Sequence, residues 1–137
     1  MRQAVVFLLA LSSVYTASFI TRSGSNLMLD GRPFKYAGSN MYWLGLDENV
    51  PPHTVAYPTH FRVDDAIETA IDMGTNVIRA HTCGVSTGNS LSYETKLDAF
   101  NEKAVDYIDY AVYKAGQAGI RLIVPLTDNY HYYHGGK

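Results

Sequence analysis

From about residue 60 onward the apolar positions fall into two helical stripes, each followed by a short apolar run. Val63, Ala66, Ile67, Ala70 and Ile71 recur at the spacing of one helix face, and Gly74 supplies a stop. This reading puts Asp64 and Asp65 in the positive first turn of that helix. Val105, Ile108, Val112 and Ala115 form the second stripe, a helix over about 102–118 with Asn101 as its cap and Gly119 as its end. The runs Asn76-Val-Ile-Arg-Ala80 and Ile120–Leu126 read as strands. The second is apolar nearly throughout, as expected of a parallel strand covered on both faces.

The earlier part of the chain has a different rhythm. Leu27-Met-Leu29 and Pro33-Phe-Lys-Tyr36 flank Asp30-Gly31, a pair suited to a tight turn, so residues 19–38 read as a hairpin feeding a strand at Ala37-Gly-Ser-Asn40. The aromatic-rich Met41-Tyr-Trp-Leu44 follows, then a loop to about His60 broken by Pro51, Pro52 and Pro58. Residues 81–98, rich in Ser, Thr, Gly and Asn, read as a second loop. The order is strand, helix, strand, helix, strand. Parallel β/α units, hence an α/β fold, are the natural solution.

Composition changes this picture mainly at the N-terminus. Within residues 1–18, Arg2 precedes an apolar run from Ala4 to Leu11, and small or polar residues surround Thr16, Ala17 and Ser18. That layout predicts a secretory signal peptide, hence a secreted, extracellular protein with its domain in residues 19–137; the alternative is a buried N-terminal strand. The run is shorter than the roughly 20 residues that cross a bilayer, so no membrane association is expected. With 11 basic and 13 acidic residues and no run of either, no basic face is available for a nucleic acid. Cys83 is the single cysteine, either a small buried apolar residue or half of a pair completed elsewhere.

In β/α units the chemistry collects at the C-terminal ends of the strands. Asn40-Met-Tyr-Trp43, Arg79-Ala-His-Thr82 and Asp128-Asn-Tyr-His131 occupy that position. Arg79 is a candidate for holding an anionic group, or half of a structural ion pair. His81, two residues on, points to the same side of the strand and is either a ligand contact or a satisfied core histidine. Trp43 is either a stacking platform or a packed indole bonded to backbone. Asp128, His131 and His134 lack a helix and a Cys or Glu partner, so no metal is expected there. No nucleophile elbow, phosphate loop or dinucleotide fingerprint occurs.

The segments "FITRSGSNLMLDGRPFKYAGSNMYWLGL", "AIDMGTNVIRAHTCG" and "DYIDYAVYKAGQAGIRLIVPLTDNYHYYHGG" together resemble the N-terminal portion of glycoside hydrolase family 5, in its fungal and plant endo-β-1,4-mannanase branch. The resemblance implies a (β/α)8 TIM barrel, of which a small hairpin and about three β/α units lie in this chain. It implies substrate contacts at Asn40, Tyr42 and Trp43 after the first barrel strand, and Arg79 as the residue that supports the nucleophile. His81 stands where many mannanases carry tryptophan. Asn129-Tyr130 stands where the family commonly shows Asn-Trp, with the tyrosine as the stacking residue.

The implied reaction is retaining hydrolysis of β-1,4-mannan by two glutamates about 5–5.5 Å apart, without a cofactor. The family places those glutamates after the fourth and seventh strands, and Glu48, Glu68, Glu94 and Glu102 offer no substitute. A barrel needs roughly 250 residues. The chain therefore reads as a truncated part of such an enzyme, inactive and prone to self-association alone. A secreted, non-catalytic carbohydrate-binding or interaction protein built from a half barrel, stacking sugars on Tyr42, Trp43, Tyr130, Tyr132 and Tyr133, is the alternative.

Overall fold

The computed structural model describes residues 18–47, 54–80 and 90–126. Residues 1–17 of the expected leader, His81, Cys83 and the segment from Asp128 to His134, with Asn129 and Tyr130, lie outside the described residues. The chain forms two compact units, residues 1–34 and 35–137.

The first unit is an antiparallel meander of β1 (Thr21–Ser23), β2 (Asn26–Leu29) and β3 (Arg32–Pro33). β2 and β3 pair across Asp30-Gly31, whose φ angles of 50° and 74° are those a two-residue hairpin turn demands. The expected hairpin is therefore present, but its second arm is two residues long and β1 adds a strand in front.

The second unit carries the β/α order: β4 (Gly38–Asn40), α1 (His60–Asp72), β5 (Val77–Arg79), a hairpin of β6 (Glu94–Lys96) and β7 (Ala99–Phe100), α2 (Glu102–Gln117) and β8 (Arg121–Ile123). β4, β5 and β8 form one parallel sheet in that order. Asn76 pins its lower edge: the side chain accepts from the Ala37 N–H at 3.0 Å and donates to the Lys35 carbonyl at 3.1 Å.

Both helices begin and end for local reasons. Thr59 caps α1 by accepting the Arg62 N–H, and Asn101 caps α2 by accepting the Lys103 N–H. Gly74 and Gly119, at φ 73° and 71°, turn the chain out of each helix through the left-handed region. Because α1 starts at His60, Asp64 and Asp65 lie one turn in, and the first turn holds no acidic residue. That corrects the placement expected from the stripe.

Ile78 is fully buried and joins Leu44, Val63, Ile67, Ala70, Ala111, Ala115 and Ile120 in one core between sheet and helices. α2 turns its alanines, Ala104, Ala111 and Ala115, inward, while Val105 and Ile108 are half-buried and Val112 is exposed. The helix has therefore rotated off the stripe of larger residues. Small side chains allow α2 to lie close to the core, and the larger ones border an open groove. β8 also differs from expectation: Ile123 is 51% and Leu126 96% exposed, so that run is not covered on both faces. The β6–β7 hairpin starts inside the expected loop of residues 81–98 and ends just past it; it turns at Leu97-Asp98, with Asp98 at φ 60°.

An aromatic and polar seam joins the helices. Tyr57 stacks on Tyr107 at 4.4 Å and His60 on Tyr110 at 3.7 Å, centroid to centroid. The Tyr110 hydroxyl donates to the Asp64 carboxylate at 2.8 and 2.9 Å, and Lys114 Nζ lies 3.2 Å from it. The Tyr110 hydroxyl bond, aided by Lys114, holds the Asp64 carboxyl below its ordinary 3.8. Desolvation and the carboxylate raise Tyr110, and the bond to Asp64 raises Lys114. A depressed carboxyl stabilises the fold above its unfolded pKa, and that contribution is lost as pH falls through the folded value. Wild type is thus expected to have a higher urea midpoint than Tyr110→Phe at neutral pH. The difference should close as pH drops well below 3.8. A gap that persists undiminished into acid would remove the carboxylate as its cause.

Candidate functional site

Paired residues of adjacent parallel strands share a face, and the strands lie roughly 4.7–4.9 Å apart. The register Asn40↔Arg79↔Ile123 therefore sets these residues in one row at the C-terminal end of the sheet. The row faces away from the helices, because Ile78 and Leu122, on the alternate face, pack into the core. Asn40 and Arg79 are both exposed. The ladder continues just beyond them, with Met41 N–H donating to the Arg79 carbonyl at 3.0 Å and Ala80 N–H to that of Ile123 at 3.1 Å. The backbone beneath Arg79 is therefore held on both sides, and that beneath Asn40 by β5.

The second row on this face is Gly38↔Val77↔Arg121. An added Cβ on Gly38 would stand 2.6 Å from the Val77 carbonyl oxygen. The glycine allows β4 to approach β5 this closely.

After Asn40 the chain turns inward. Tyr42 and Trp43 are half-buried, and Leu44 and Asp47 are buried. Trp43 packs against the core cluster, and the guanidinium carbon of Arg62 lies 4.3 Å from its ring centre. Arg62 Nε meets Asp47 Oδ2 at 2.6 Å. Asp47 and Ala56 exchange backbone hydrogen bonds of 2.7 and 2.8 Å, closing the neck of the loop between β4 and α1.

Of the residues expected to form the site, Asn40 and Arg79 are thus neighbours, and Tyr42 and Trp43 follow directly. The involvement of Arg62 and Asp47 was not anticipated. A charged residue near a helix start ordinarily reads as solvated, and the sole available hint was an arginine and an aspartate flanking a loop that begins with tryptophan.

Chemically, the row offers donors and one amide acceptor. Arg79 presents a planar fork suited to a carboxylate or to paired hydroxyls, and Asn40 can both donate and accept. No carboxylate lies on this face of β4, β5 or β8. Glu68 and Glu102 belong to the helices, and Glu94 is engaged by the Asp98 N–H at 2.9 Å in the hairpin. Among the described residues no cluster of three or more His, Cys, Asp or Glu is arranged to hold a metal ion. Likewise no helix there is long and apolar enough to cross a membrane.

No protein-family profile matches the chain. Individual relatives do. Mannan endo-1,4-beta-mannosidase 2 of Oryza sativa subsp. japonica is 37% identical over 119 residues, covering 87% of this chain and 25% of that protein. Mannan endo-1,4-beta-mannosidase 1 of Solanum lycopersicum is 30% identical over 135 residues, covering 96% of this chain and 32% of that one. The crystal structure of an endo-1,4-beta-mannanase from Rhizomucor miehei superposes with a TM-score of 0.65 at 24% identity, over 86% of this chain and 32% of that one, a likeness of fold. The chain spans about a quarter to a third of the length of these proteins. The resemblance carried by the three strand-end segments is thus to the mannan endo-1,4-beta-mannosidases, over nearly all of this chain and a minor part of theirs.

Proposed function

We propose that this chain supplies the opening β/α units of a retaining (β/α)8 glycoside hydrolase of family 5 that cleaves β-1,4-mannan. In this reading residues 1–18 are a secretory leader, and protein collected from the medium should begin at Phe19. The parallel row Asn40–Arg79 at the strand ends is the observation that carries the proposal. It lies where a β/α barrel builds its cleft.

Arg79 would hold the nucleophilic carboxylate ionised, and Asn40 would bond a sugar hydroxyl or the acid/base. Tyr42 and Trp43, with His81, Asn129 and Tyr130, would form one wall for the sugar. The acid/base that protonates the glycosidic oxygen and the nucleophile that forms the glycosyl-enzyme would come from later strands of the same barrel. The second reading is a non-catalytic carbohydrate-binding protein that stacks sugars on the half-buried Tyr42 and Trp43.

The test uses purified chain, mannan and mannohexaose. Mannohexaose is expected to change the Trp43 emission, and mannan is expected to release no more reducing sugar than in buffer. Clear turnover would place the reacting carboxylates within this chain. An emission that never responds to the sugar would sink the carbohydrate reading in both its forms.

A further inference from the structure

We infer that Arg62 is a positioning residue for Trp43, a guanidinium clamp that fixes the indole beside the C-terminal end of the sheet and is itself held by the buried carboxylate of Asp47. The carbohydrate as ligand rests on the reading above; the clamp does not.

At 4.3 Å from the ring centre, the guanidinium is well within the roughly 6 Å over which a cation is attracted to an aromatic face. Its charge is anchored in turn. Asp47 is 4% exposed, and a carboxylate so deep needs a cation beside it, which Arg62 Nε provides at 2.6 Å.

Each member of the triad is fixed by its own backbone. Trp43 lies three residues beyond the end of β4, Asp47 closes the loop neck against Ala56, and the Arg62 N–H is taken by the Thr59 cap at 3.2 Å. Strand exit, loop neck and helix start therefore converge on one indole. The ring is half-buried, so part of it stays open to a ligand. An indole already ordered need not lose freedom when a sugar stacks on it, and ordering of rotamer-rich groups is one of the costs that weaken binding. Lysine can answer the charge of Asp47 but cannot lie flat on the ring.

Trp43 is the only tryptophan, so emission reports on it alone. Arg62→Met and Arg62→Lys are expected to shift the emission to the red and raise its quenching by acrylamide, at unchanged far-UV circular dichroism. Asp47→Asn should do the same by releasing the arginine. Should the methionine variant fail to fold, the lysine and asparagine variants carry the test. In the variants, mannohexaose titrations should weaken about two- to thirty-fold, the span of a cation–π contact between exposed and desolvated sites.

Quenching identical to wild type in folded Arg62→Lys and Asp47→Asn overturns the clamp. So does wild-type affinity in a variant whose indole has become accessible. If the wild-type emission ignores the sugar altogether, the carbohydrate reading fails, and the quenching comparison still decides the role of Arg62.

Discussion

Replacing Gly38 with alanine is expected to break the β4–β5 pairing and lower stability by about 1–3 kcal/mol or more, the range of overpacking in a close-fitted interior. Backbone conformation is not the obstacle, because Gly38 does not lie in the left-handed region. Space is the obstacle. The new Cβ would meet the Val77 carbonyl oxygen at 2.6 Å, its carbon at 3.4 Å and the Val77 Cβ at 3.5 Å. A crowded side chain can change rotamer, but a carbonyl in a strand ladder has nowhere to go. β4 would have to move off β5, taking Asn40 away from Arg79 at the other end of a three-residue strand. A few kcal/mol is a large share of a domain's usual net stability of roughly 5–15 kcal/mol.

Gly116→Ala is the matched control. It lies in α2, and nothing stands within 4 Å of an added Cβ. There alanine should stabilise by about 0.5–1 kcal/mol through helix propensity. Urea unfolding of the two variants beside wild type checks both signs. A Gly38→Ala protein with an unchanged midpoint would mean that β4 has more room than its register implies.

The sequence made these elements legible wherever the cause was local. Asn101 and Gly119 bound α2 because capping and left-handed exit depend on a few consecutive residues. Asn40 and Arg79 could be picked out for a related reason: each ends a short segment that reads as a strand, and the C-terminal ends of parallel strands are where functional residues collect. What the pattern could not carry was tertiary choice. Val105, Ile108 and Val112 form the more hydrophobic stripe, yet Ala104, Ala111 and Ala115 face the core, since close approach to the sheet outweighs side-chain size. The Asp64 bond to Tyr110 and the Asp47 pair with Arg62 join residues brought together by packing, and neither has a signature in spacing. The β6–β7 hairpin was hidden for a different reason: strands this short, with Lys96 and Asp98 at their turn, look like loop.

The chain studied alone is expected to associate through its β8 side rather than remain monomeric. Among the described residues β8 pairs only with β5, which leaves a row of backbone N–H and C=O groups at the sheet edge, a template for another strand. Lys, Pro or a bulge commonly blunts such an edge. Here Pro125 lies just past the strand, and Ile123 and Val124 are exposed. Beside the edge is an open groove of about 410 Å³, bordered by Tyr93 and Phe100 of the hairpin region, Val105 and Ile108 of α2, and Val124 and Leu126.

Val124 and Leu126, which border the groove, follow β8 directly in the chain, so one partner can reach both the strand edge and the apolar side chains. Covering the apolar side chains along the groove favours association in proportion to the area removed from water, and the losses of association are subtracted from that gain. Size-exclusion chromatography with light scattering is expected to show dimers or larger species whose share grows with concentration. Ile123→Lys places a charge on the edge, and Ile108→Asp places one in the groove. Each should shift the population toward monomer without loss of helical circular dichroism, because neither residue belongs to the buried core. A wild-type chain that stays monomeric at every concentration, or variants that associate as strongly as it does, would show that this side of the sheet is already covered.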